Sequence, residues 1–331
     1  MAIRKRKYWL FSLMFATLCA PTLATESSEL PTADWSSLYV VDSDIIWIGS
    51  HDGQIAVSSD TGQTWNVSTP GGRSSNLNIR QIIAYDERHA FALSSGRGER
   101  SRLVRSRNGG FSWSTLHRGN GDEFLHCFDM IPEGEGWILG ETNLDDWHVI
   151  RSSNSSNWIG TRSGFSERAL MNESGSEFGN CVVHDNNFWV MGTKGADQAR
   201  LIYKSAAGLR FQVVETPLTA GSGNGIHSVA VLGMEDFLLA GGAENGAPEF
   251  YRYQRGEFTE LSAPPVNGPL TLMITVGDWV LAGNETGVHK SNDLGADWLP
   301  ALDNGAIALS CSSVDSCWLI TPDHELKSFT L

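Results

Sequence analysis

Beyond residue 24, the 331-residue chain lacks any apolar run near the roughly 18 residues needed to cross a bilayer as a helix. No stretch sustains a 3.6-residue apolar period, so no substantial helix is expected there. Basic side chains are scarce, with 24 Lys and Arg against 38 Asp and Glu. Such a surface repels phosphate backbones and argues against a nucleic-acid partner. No CxxC or HxxxH spacing occurs, so no metal site is expected, and nothing points to a cofactor.

The first residues differ from the rest. Arg4-Lys5-Arg6-Lys7 form a positive start, Tyr8 to Leu18 are apolar, and Thr22-Leu23-Ala24 supplies small residues for cleavage. Residues 1–24 are therefore expected to be a cleaved signal peptide. Residues 25–331 are expected to be one exported domain, periplasmic or secreted. Loss of the four leader cations leaves 20 basic residues against 38 acidic ones, a formal charge of -18. Four of the five cysteines remain, and an oxidising compartment favours disulfides among them. Cys311 and Cys317 sit where a hairpin would bring them face to face. Cys127 and Cys181 lie near the starts of successive repeat units, as a bridge between them or as two buried thiols.

What the chain has in abundance is repetition. Trp35, Trp65, Trp113, Trp158, Phe211, Phe258 and Trp298 recur at intervals of about 40 to 50 residues, the period of a repeat architecture. Three of them close an Asp-box. Ser58 to Trp65 carries Asp60 and Gly62, Ser291 to Trp298 carries Asp293 and Gly295, and Ser106 to Trp113 carries Asn108 and Gly110. In such a turn the Asp or Asn side chain caps its own loop's N–H groups, and Gly supplies a conformation other residues avoid. The aromatic then buries a large surface between repeats, so these residues are read as structural. Between the boxes run short apolar segments ending in Gly or Ser, such as Ile46-Trp47-Ile48-Gly49, Trp137-Ile138-Leu139-Gly140 and Trp189-Val190-Met191-Gly192. Four short strands per unit describe a propeller blade, and continuous apolar runs suit sheets covered on both faces.

The expected fold is therefore all-β, a seven-bladed β-propeller of four-stranded antiparallel blades. The last unit ends on Glu325 to Phe329 without a fourth strand, and Ala33-Asp34-Trp35 resembles Ala296-Asp297-Trp298. The segment around Trp35 is expected to supply that missing outer strand, so that the N-terminal strand closes the ring and removes exposed edges.

With boxes, strands and leader assembled, the chain resembles the photosystem II stability/assembly-factor-like group of Asp-box propellers. The likeness is carried by Arg80-Gln81-Ile82, Ala90 to Ser94, Arg102-Leu103-Val104-Arg105-Ser106, Cys127, Cys181 and Gly225-Ile226-His227-Ser228. The stretch from Ile79 to Gly242 especially resembles exported bacterial members. The resemblance implies an assembly chaperone that binds a membrane-protein partner through an arginine-rich patch and carries no catalytic cofactor. Here Arg97, Arg100, Arg102, Arg105, Arg107 and Arg118 cluster in the second unit, with Glu99 opposing them. Arginine suits bidentate capture of carboxylates.

Counting back from the second strands places Arg80, His126, Asn180 and His227 near the starts of innermost strands, where they would ring one channel mouth. Such a ring suits a carboxylate or sulfate, or acid–base chemistry on an acidic sugar. Three functions follow in descending order: a monomeric, non-enzymatic scaffold or assembly factor for an envelope complex; a hydrolase or lyase acting on an acidic glycan; a thiol redox protein using Cys127 and Cys181. A sialidase is disfavoured, since no Arg-Ile-Pro element occurs and no two carboxylates can be paired as a glycosidase requires.

Overall fold

The computed structural model describes residues 25–27, 29–71, 77–132, 134–142, 146–302 and 304–331. The expected signal peptide lies outside them. Seven antiparallel sheets follow one another along the chain, and from Trp35 onward each begins with its innermost strand. The innermost strands are Trp35–Val40, Ile79–Ala84, Leu125–Met130, Val182–Asp185, Gly225–Gly233, Leu272–Val276 and Ala308–Ser313, in blades 1 to 7. The short apolar segments ending in Gly or Ser are the second strands, including Ile46–Ser50, Gly136–Gly140 and Phe188–Gly192. Every residue of these three is buried, because each lies at the middle of a sheet covered on both faces. The only helix among the described residues is a single 3-10 turn, Gly98–Arg100.

The box turns hold themselves together locally. Ser58 Oγ donates to Asp60 Oδ1 at 2.8 Å and accepts the Gly62 N–H at 2.8 Å. Asp60 in turn accepts the Thr64 N–H at 2.8 Å and the Thr64 hydroxyl at 2.7 Å. These bonds to Thr64 hold the Asp60 carboxyl below its ordinary range. Gly62 sits at φ +80 with Trp65 and Trp318 rings close by, so a side chain there would be strained. The turns at Asn108 and Asp293 repeat the pattern, with Gly110 and Gly295 N–H groups bonded to Ser106 and Ser291. Trp65 is buried at the seam of blades 1 and 7, whereas Trp113 and Trp298 are half-buried.

Ring closure departs from expectation in one respect. Trp35 opens the innermost strand of blade 1, paired with Ser50, and is not an outer strand of blade 7. Blade 7 has three strands among the described residues, and Thr25–Ser27 pairs instead with the outermost strand of blade 1. The likeness of Ala33-Asp34-Trp35 to a box ending is superficial. Leu30 and Thr32 stand where Asp293 and Gly295 stand in the true turn, so neither the capping carboxylate nor the permissive glycine is present. The N-terminal strand closes the ring by packing. Trp35, Leu38 and Val40 share one core with Ala308 and Ile320, and the Val40 N–H donates to Ser310 Oγ at 2.9 Å.

Candidate functional site

Innermost strands begin on what is here termed the upper face, and Arg80, His126, Asn180 and His227 all lie there at the channel neck. The chain between the outermost strand of blade 3, Trp158–Thr161, and the innermost strand of blade 4 is unusually long, spanning residues 162–181. It turns inward across the mouth. A row of bridges joins Glu141, Ser174, Lys194 and Gly225, tying its last part to blades 3, 4 and 5. Glu173 anchors it from below, buried and ion-paired with the buried Arg200. Gly179, at φ +65, passes so close to Ser228 Oγ and Thr271 O that a Cβ would lie 2.0 and 2.2 Å from them. Phe178 therefore sits in the mouth, 45% exposed above and packed below against Arg80 and His227.

Beneath Phe178 is a cavity of about 60 Å³ lined by Arg80, His126, Glu177 and Asn180 together with Ser37 and Gln81. His126 is 3% exposed and stacks on Phe124, and burial pushes its pKa down to about 4. Burial likewise takes His227, 2% exposed, to about 4, while its Nδ1 lies 2.8 Å from Ser176 Oγ. Both imidazoles are thus neutral near pH 7. Burial also lowers the Arg80 guanidinium, opposed by the charge of Glu177. Burial raises Glu177, but its hydrogen bond to Lys194, at 2.6 Å, outweighs that and leaves the carboxyl low. Glu177 and Lys194 were not among the residues singled out from sequence. The one available signal was the length of the 162–181 connection.

The arginine cluster is divided by the fold. Arg97, Arg100, Arg102 and Arg118 lie toward the upper face, around the turn after the second strand of blade 2. Arg97 pairs with Glu141 at 3.4 Å and covers the Phe124 ring, and Arg118 pairs with Glu99 at 3.3 Å. Arg102 is buried. Strand alternation and distance carry Arg105 and Arg107 away: Arg105 lies over Phe91 and donates to Ser156 of blade 3, and Arg107 is exposed at the box turn on the opposite face.

Below the neck the channel widens into a cavity of about 520 Å³ that opens on the lower face. Asp129 lies in its wall, accepting N–H groups of Met130 at 2.7 Å and His184 at 2.6 Å. Burial outweighs those bonds and raises its carboxyl to about 7. Cys127 is joined to Cys181 and Cys311 to Cys317, so the first pair ties blade 3 to blade 4 and the second spans a hairpin. Among the described residues, no group of three or more His, Cys, Asp or Glu is arranged to hold a metal ion. No helix there is long and apolar enough to cross a membrane.

Fold and mouth together define a single seven-bladed propeller with a loop-plugged channel. No protein-family profile and no curated protein matches the chain. Solved structures do. One is described as "YCF48 bound to D1 peptide", with TM-score 0.62 and 12% identity, covering 94% of this chain and 99% of that one. Another is YCF48 from Cyanidioschyzon merolae, with TM-score 0.60, 13% identity and coverage of 94% and 99%. A computationally designed protein, Ika8, aligns with TM-score 0.56 and 12% identity over 90% of this chain and 96% of its own. At these identities the likeness is one of fold, and fold by itself does not assign function.

Proposed function

We propose that this chain is an exported, non-enzymatic propeller that binds a protein partner on its upper face and assists assembly of an envelope or membrane complex. The observation that carries this reading is that the half-exposed Phe178 at the channel mouth shares the upper face with the exposed Arg97, Arg100 and Arg118 of blade 2. An aromatic anchor with arginines around it is the composition of energetically dominant interface sites. The solved neighbour with a bound peptide and the sequence resemblance to assembly factors support the same reading. Export rests on the leader composition of residues 1–24.

The alternatives draw less support. An acidic-glycan hydrolase would need an acid–base pair in contact with substrate, and the two imidazoles of the neck are 3% and 2% exposed. A thiol redox role would need reachable sulfur, and Cys127 and Cys181 are bonded to each other and buried.

Affinity capture from envelope extract tests the proposal. The wild type is expected to recover a defined protein that the triple variant R97E/R100E/R118E loses at least tenfold, while Arg107→Glu on the lower face retains it. Equal capture by the wild type and the triple variant, or none by either, refutes it.

A further inference from the structure

Among the residues that line the neck cavity, many of them apolar, are polar groups that have no protein partner. Ser37 Oγ and both ring nitrogens of His126 are shielded from solvent and make no hydrogen bond. His126 Nε2 lies 4.0 Å from the nearest carboxylate oxygen, Glu141 Oε1, beyond hydrogen-bond reach, and that carboxylate already serves Arg97. The Arg80 guanidinium rests over Phe178 without an ion pair or hydrogen bond to any described residue. The backbone of Asn180 is committed, its N–H to Ser228 Oγ and its carbonyl to the Val229 N–H, and the residue lines the same cavity. Buried polar groups are satisfied in folded proteins, and each exception asks for water or an ion.

The character of these groups selects between the two. Arg80 only donates, Asn180 and Ser37 can donate, and neutral His126 donates through one ring nitrogen. Glu177 is the one acid in the lining, and Lys194 at 2.6 Å compensates it. The balance of Arg80, Lys194 and Glu177 at the neck is a single positive charge. A volume of about 60 Å³ holds a few waters or one small anion, and excludes a sugar or a phosphate ester.

We propose that the channel neck of this protein is a small-anion site, in which Arg80, His126, Asn180 and Ser37 bind one monovalent ion of chloride or formate size beneath Phe178. The site is distinct from partner binding on the exposed face and stands whether or not that reading holds. Bound there, the ion fastens innermost strands of blades 1, 2 and 3 to the loop that plugs the mouth. It stabilises the fold by RT ln(1 + c/Kd) at free ion concentration c, which grows logarithmically once c exceeds Kd.

The test is thermal unfolding of residues 25–331 in potassium gluconate at constant ionic strength, with gluconate replaced stepwise by chloride or formate. Gluconate is too large for the cavity. A rise in Tm that becomes logarithmic in anion concentration above an apparent Kd is expected with at least one of the two small anions. Arg80→Gln should weaken the apparent affinity at least tenfold, and Arg97→Gln, on the exposed rim, should leave it within twofold. A bromide-soaked crystal should show anomalous density between Arg80 and Asn180. If Arg80→Gln does not fold, Ser37→Ala and Asn180→Ala provide the same comparison. No rise in Tm with either anion, equal responses in the wild type and the neck variants, or water alone in the soaked cavity would each overturn the proposal.

Discussion

The histidines of the neck are the residues whose chemistry the fold alters most. In the unfolded chain His126 and His227 titrate near their ordinary 6.5, and in the folded chain near 4. The unfolded state therefore takes up two protons in that interval that the folded state refuses, and stability falls as pH drops from 6.5 toward 4. Burial pushes His51, His184 and His289 the same way. Asp129 opposes them. Its folded value near 7 means that its contribution is fully present below about 3.8 and is lost as pH rises through 7. Of these three groups, the two imidazoles, at about 3 kcal/mol each, together outweigh Asp129, at about 4 kcal/mol in the other direction. Asp129→Asn should steepen the acid loss and His126→Gln should flatten it, as read by urea unfolding at pH 7, 5.5 and 4. A reversal of either sign contradicts this account of burial.

Among the elements, the 162–181 connection decides what the mouth looks like, and it rests on the Glu173–Arg200 pair. Thr193 Oγ1 and the Leu170 N–H also donate to Glu173, at 2.8 Å each, so the carboxylate is fully used. Glu173→Ala leaves Arg200 charged and buried, and should cost about 3–5 kcal/mol of stability in urea unfolding. A loss below about 1 kcal/mol would mean that the loop is held elsewhere. This connection was also the least legible part of the sequence. Box turns could be read because their hydrogen bonds run between residues two to four apart, and second strands because burial on both faces imposes a continuous apolar run. Glu177, Lys194 and the position of Phe178 depend on contacts between blades 3, 4 and 5, which no local pattern encodes. Arg80, His126, Asn180 and His227 could be placed by counting from the second strands, since blade geometry repeats. Trp35 was misplaced because a three-residue likeness was weighed without the carboxylate and glycine that make the turn.

At the scale of the whole molecule, seven blades form one ring that is closed by packing of blade 1 on blade 7 and tied between blades 3 and 4 by Cys127–Cys181. The two faces of that ring differ. The upper carries a plugged neck, a protruding Phe178 and the arginines of blade 2. The lower carries the acidic, open end of the channel around Asp129 and Asp185. The central claim is that the partner docks on the upper face. Its most direct measurement places a photo-activatable phenylalanine analogue at position 178, and separately at position 111 on the lower face, where Phe111 is also exposed. After irradiation in envelope extract, position 178 should yield a discrete cross-linked protein that position 111 does not. Cross-linking of the same protein from both positions, or from position 111 alone, would contradict the account.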